Sequence, residues 1–179
     1  MSVVLLKELL EKEHSKKNAL FIAEKIINKE ITFDILSKVI LSNEDLYSQR
    51  AAWVISVLHE KNFTFEKAHY LSLVQMTEPR FHDAVARNSF RTLAKMKIDE
   101  KEKGILFDRG ITLLQKKTTP TAILTWIIDL LMNIAYDSIE LQQEIKLVIE
   151  GRIPTVSIGV KGKMVKAIQK INNNFKALS

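Results

Sequence analysis

Residues 48–59 read Ser-Gln-Arg-Ala-Ala-Trp-Val-Ile-Ser-Val-Leu-His. Ala51, Val54, Ile55 and Leu58 recur at i, i+3, i+4 and i+7, the spacing of one apolar stripe on a helix. The other side carries Ala52, Trp53 and Val57. A helix apolar on both sides is expected between neighbours rather than on a surface. The pattern returns along the chain: Ile26, Leu58, Leu93, Leu131 and Ile168 follow at intervals of 32, 35, 38 and 37 residues. Three positions earlier stand Ala23, Ile55, Phe90, Ile128 and Val165, and just before those Ile22, Val54, Ser89, Ile127 and Met164. One helix pair cannot bury such a stripe by itself, so each repeat is expected to cover the next.

Outward from this stretch the chain reads as helices joined by short turns. Helices are expected over 3–12, 15–28, 32–41, 45–61, 64–76, 80–96, 99–116, 120–135, 138–150 and 157–176. Ser15 and Thr32 read as caps, and Thr118-Thr119-Pro120 as a capping Thr with Pro at the first helical position. Thr77-Glu78-Pro79 and Gly151-Arg152-Ile153-Pro154 read as breaks. No stretch alternates as a strand would, so the class is all-α. The helices group into five pairs, 3–28, 32–61, 64–96, 99–135 and 138–176, within one domain spanning 1–179.

Composition agrees with this. The chain of 179 residues is 46% hydrophobic and 27% charged, with only five Gly and three Pro to interrupt helices. It has no Cys, which excludes disulfides and thiolate sites and fits a reducing compartment. The first dozen residues bring charges after a few apolar positions, unlike a secretory leader, and the apolar run 121–135 is interrupted by Asp129 and Asn133. The expected location is cytoplasmic. Residues 152–179 hold Arg152, Lys161, Lys163, Lys166, Lys170 and Lys176 and no acid, which accounts for the whole net charge of +6.

Arg50-Ala51-Ala52, Val54-Ile55 and Leu58, with Asp45 ahead of the Arg, resemble the second helix of a HEAT repeat. The third pair keeps Asp83, Val85, Arg87 and Leu93, and the last two pairs keep the apolar spacing. This resemblance covers nearly the whole chain. It implies a right-handed α-α superhelix, a solenoid of about five helix pairs, and says nothing specific about function. The chain also resembles short bacterial HEAT-like proteins with an Arg-Ala-Ala-Trp-Val stretch, here residues 50–54, and a Lys-rich last helix. That group has no known activity, and its members sometimes carry the label adenylosuccinate lyase. Such lyases have a Gly/Ser- and Met-rich signature loop, which no stretch here matches.

Three sets of residues are candidates for binding. The column Phe21, Trp53, Asn88, Trp126, Lys163 would offer two aromatic platforms to a partner if it faces the groove of the inner helices. If it faces the neighbouring repeat instead, both Trp are packing residues. The column Glu24, Ser56, Arg91, Asp129, Lys166 is either a charged stripe on the groove or a ladder of solvated or mutually paired side chains between repeats. Lys163, Lys166 and Lys170 share one face of the last helix at i, i+3 and i+7, opposite Val165 and Ile168. That face would bind phosphates or an acidic partner, or else serve as the polar cap of a terminal repeat.

Catalytic constellations are missing from the sequence. His14, His59, His69 and His82 form no metal-binding pair, and phosphate loops and nucleophile elbows are absent. Neither cofactor nor metal is expected. The leading expectation is therefore a non-catalytic helical-repeat scaffold or adaptor that binds a protein partner through an inner-helix groove lined by Phe21, Trp53, Asn88, Arg91, Trp126 and Asp129. The alternative is a nucleic-acid-binding module using the basic last helix, with Trp53 or Trp126 stacking on bases. Ranked last is a DNA glycosylase. Trp126 and Asp129 are similar to the groove Trp and catalytic Asp of HEAT-like alkylpurine DNA glycosylases, although the spacing between them is one residue shorter here. No membrane contact is expected.

Overall fold

Helix packs on helix throughout the structure, a computed structural model that describes residues 2–178, with side chains to Phe175. Lys176 therefore lies outside the described side chains. The elements in order are α1 (Val3–Lys12), α2 (Lys16–Ile27), α3 (Phe33–Leu41), α4 (Asp45–Glu60), α5 (Lys67–Gln75), α6 (Asp83–Leu93), α7 (Glu100–Gln115), α8 (Thr121–Ile134), α9 (Ile139–Arg152) and α10 (Ile158–Leu178). Among the described residues there is no strand, and no helix is long and apolar enough to cross a membrane. The helices form two compact units, Met1–Leu93 and Ala94–Ser179.

In the first unit α4 packs against α1, α2, α3 and α6. Ala51, Ala52, Val54, Ile55 and Leu58 are fully buried and Val57 nearly so, which is what a helix apolar on both sides requires. Burying each of its larger aliphatic side chains stabilises the fold by about 1.5–3 kcal/mol. The column Ile22, Val54, Ser89 is buried at every position here, as are Ala23, Ile55, Phe90 and Ile26, Leu58, Leu93. In the second unit α8 packs against α7, α9 and α10, and its Ile127, Ile128 and Leu131 are buried. Gly110 on α7 lets α8 approach closely: a Cβ there would stand 2.8 Å from Leu131 Cδ2.

Caps define many of the helix ends. Ser15 Oγ accepts the N–H of Asn18 at 3.1 Å and Thr32 Oγ1 that of Ile35 at 3.4 Å, both as expected. Carbonyls at helix C-termini are met by side chains from elsewhere in the same unit. Arg50 Nη1 donates to the Leu10 carbonyl at 2.6 Å, and Asn18 Nδ2 donates to those of Leu9 and Glu13 at 2.8 and 2.9 Å. Arg152 Nη2 donates to the carbonyls of Lys116 and Lys117 at 3.2 and 2.9 Å, and Gln142 Nε2 to those of Ala135 and Tyr136 at 2.8 and 3.1 Å. These bonds satisfy orphan groups that helix ends leave open.

Several features differ from the sequence expectation, α6 among them, which spans Asp83–Leu93 rather than 80–96. Helix α5 begins at Lys67 rather than 64, because Glu66 at its N-cap is tied to His69 and the residues before it form an aromatic turn. Thr119 does not cap α8: its hydroxyl donates to the Leu113 carbonyl at 2.7 Å, Pro120 takes the N-cap and Thr121 is the first helical residue. Gly151 does not break the chain, since α9 continues to Arg152 and a single 3₁₀ turn at Ile153–Thr155 follows. In α10 the buried stripe is Val160, Met164, Ala167 and Ile171, whereas Val165 is 38% exposed.

Candidate site on the second helices

In the first unit the candidate residues project from α2, α4 and α6. Phe21 is 46% exposed, with the Lys25 ammonium 4.9 Å from its ring centroid. Trp53 is half-buried and meets the His14 ring edge-on at 5.6 Å, in a crevice formed with Leu10, Asn18 and Arg50. Part of the indole therefore packs on the α1–α2 turn while part of it stays accessible. Asn88 is only 4% exposed: it accepts a hydrogen bond from Ser56 Oγ and donates to the Ala84 carbonyl at 2.8 Å. A buried polar pair of this kind joins α4 to α6 and leaves neither group for a partner. Arg91 donates to Glu60 Oε1 at 2.7 Å.

In the second unit Trp126 on α8 is half-buried, with the ammonium groups of Lys95 and Lys163 at 5.8 and 5.3 Å from its ring. Lys163 Nζ also donates to Asp129 Oδ2 at 2.5 Å. Trp126, Asp129 and Lys163, placed in two separate columns by the sequence reading, thus form one cluster. Lys166 and Lys170 lie exposed on the flank of α10 next to it. The core stripe of α10 runs alongside this flank, not opposite to it.

In the polar column Glu24, Ser56, Arg91, Asp129, Lys166 three charged members pair with residues one repeat away. Glu24 pairs with Lys61 at 3.3 Å, Arg91 with Glu60 and Asp129 with Lys163, all partners from outside the column. Ser56 is buried and Lys166 exposed. Ion pairs as exposed as these each contribute only about 0.2–1 kcal/mol, so they leave the charges available to a partner.

Two clefts escaped the sequence reading because residues from separate elements build them. One, of about 520 Å³, lies between the turns that follow α2 and α4. The other, of about 620 Å³, is lined by Glu100, Asp108, Asp137 and Glu144 with Lys103 and Phe107. There the hydrogen bond from Lys103 to the Glu100 carboxylate holds the Lys103 ammonium above its usual range. Among the described residues no group of three or more His, Cys, Asp or Glu stands where it could hold a metal ion.

The chemistry on display is that of contact: aromatic faces beside ammonium groups, with ion pairs near them. Asp129, the carboxylate weighed for a catalytic role from the sequence, accepts a hydrogen bond from the Lys163 ammonium at 2.5 Å. In comparison with known families, the model of the HEAT repeat domain aligns with residues 6–171. Neither a curated protein nor a solved structure is significantly similar to the chain.

Proposed function

The chain belongs to the HEAT repeat domain family, and from that premise we propose that it is a non-catalytic scaffold which binds a protein partner through the exposed faces of its second helices. Domains of this family are generally non-catalytic scaffolds and commonly mediate protein interaction. The observation that carries the reading is Trp126, a half-buried indole flanked by Lys95 and Lys163, with Lys163 also bonded to Asp129. Large aromatic surface ringed by charge is what interaction hot spots present. Phe21 and the accessible part of Trp53 offer a similar surface in the first unit. The proposed setting is the cytoplasm. A partner enriched on immobilised wild-type chain should be lost with Trp126→Ala and retained with Lys101→Ala, a change on α7. Equal recovery on both variants contradicts the reading.

A second reading rests on Lys161, Lys166 and Lys170, which lie exposed on α10 with no acidic residue in that part of the chain. They would contact nucleic-acid phosphates, with Lys163 withdrawn by Asp129. Binding to a labelled duplex should then fall with salt at a log–log slope of about −2 to −3. No binding at low salt would remove this reading.

A further inference from the structure

The cleft of about 520 Å³ in the first unit has the make-up of a ligand site. It opens between two turns of matching geometry. The N–H of Glu30 bonds the Lys25 carbonyl at 2.9 Å, and that of Phe63 bonds the Leu58 carbonyl at 3.0 Å, which closes the ends of α2 and α4. These closures place Lys29 and Asn62 in the left-handed region, at φ 62 and 56. Asn43, at φ 57 after α3, holds the same conformation. Asn tolerates it; a Lys there is strained by about 1 kcal/mol. Lys29 is the non-amide residue among the three, and it lines the cleft.

The walls are apolar and the lining polar groups are mostly donors. Phe33 is buried at the base, its ring 4.5 Å from that of His69 and 6.2 Å from that of Phe63, while Ile27 is 39% exposed at the wall. His69 Nδ1 accepts the N–H of Glu66 at 3.1 Å, so the neutral ring carries its proton on Nε2 and offers a donor. Lys29 and Lys61 stand against a single lining carboxylate, Glu66. Lys61 shares Glu24 at 3.3 Å across an exposed and therefore weak pair, and Glu30 beside Lys29 is held by Lys25 at 2.6 Å. The N–H of Lys29 bonds the Ile26 carbonyl at 3.0 Å, while its ammonium makes no hydrogen bond or ion pair with another described residue.

We propose that this cleft binds an apolar carboxylate, its hydrocarbon or aryl body against Ile27, Phe33 and Phe63 and its charge answered by Lys29 and Lys61. The volume falls within the range of about 300–1,000 Å³ common to small-molecule sites. The site is separate from the second-helix faces and stands whether or not those faces bind a protein. The same chemistry is available from a free carboxylic acid or from the last residue of a peptide ending in Leu or Phe.

The test is a backbone amide NMR titration of the full chain with phenylbutanoate, phenylbutanamide, and a Leu-ended peptide with free or amidated C-terminus. The acid should shift the amides of Lys29, Asn62, Thr64 and His69 with a Kd of about 1 mM, and its amide should bind roughly tenfold more weakly. Lys29→Asn combined with Lys61→Gln keeps the turn geometry and should abolish that preference while the rest of the spectrum is unchanged. If the free-ended peptide outcompetes the acid, the ligand is a chain end; if the acid wins, it is a small molecule. Equal affinity for acid and amide on the wild type, or shifts outside the cleft, would overturn the proposal.

Discussion

Lys29 carries a side chain where the backbone favours glycine or asparagine, with its φ of 62. Replacing it with Asn should raise stability by about 0.5–1 kcal/mol, read as a higher urea midpoint at an unchanged slope. A neutral or destabilising result would mean that the Lys29 stem makes packing contacts that outweigh the strain. Gly110 is the opposite case. Alanine there gains about 1 kcal/mol of helix propensity, but its Cβ meets Leu131, which is fully buried and must shift within the core. Overpacking of about 1–3 kcal/mol should win, so Gly110→Ala should be destabilising by roughly 1 kcal/mol. In a double-mutant cycle with Leu131→Ala the two costs should be clearly less than additive. An additive cycle would show that the close approach of α7 and α8 is not what requires the glycine.

The helices were readable because burial on a helix repeats with its turn. Ile22, Val54, Ile127 and Met164 could be aligned from residue types and are all fully buried. In α10 the same reasoning also selected Val165 and Ile168, while Met164 packs in one stripe with Ala167 and Ile171. Two apolar stripes lie one residue apart there, and alanine is too weak a hydrophobe to decide between them. The aromatic turn before α5 was unreadable for another reason: Phe63 and Phe65 pack on Phe33 from irregular backbone, where no period marks buried positions. The candidate site was legible in part. Trp126 and Asp129 share a helix face at i and i+3, but the Lys163 that joins them stands 34 residues beyond Asp129. Pairing at that distance depends on how α8 meets α10, which spacing along one helix does not encode. The helix-end bonds were equally hidden. Arg50 was read as a family feature, and the structure gives it a physical task at the Leu10 carbonyl. Arg50→Ala should be destabilising by about 1.5–3 kcal/mol in chemical denaturation, the usual range for hydrogen bonds to a charged group. A loss below about 0.5 kcal/mol would assign that carbonyl to water instead.

For the molecule as a whole, charge and family membership point to different partners. The net charge of +6 belongs to the C-terminal residues, and of its members the structure draws Lys163 to Asp129 and buries Arg152 at 6% exposure. What remains on α10 is too small a patch to make nucleic acid the leading partner. Lys166→Glu with Lys170→Glu should abolish any salt-dependent nucleic-acid binding and leave the helical circular dichroism unchanged. The HEAT repeat domain, matched over residues 6–171, is a family that commonly mediates protein interaction, which supports the proposal of a protein ligand. Site-specific photo-crosslinking in cells probes that preference on the intact chain. A crosslinking residue would be placed at position 21 or 126 on the proposed faces, and at position 136 or 147, where Tyr136 and Leu147 are each 72% exposed elsewhere. A discrete protein adduct from positions 21 or 126, with none from 136 or 147, is the expected result. An adduct confined to 136 or 147 would place the binding surface elsewhere and contradict the proposed function.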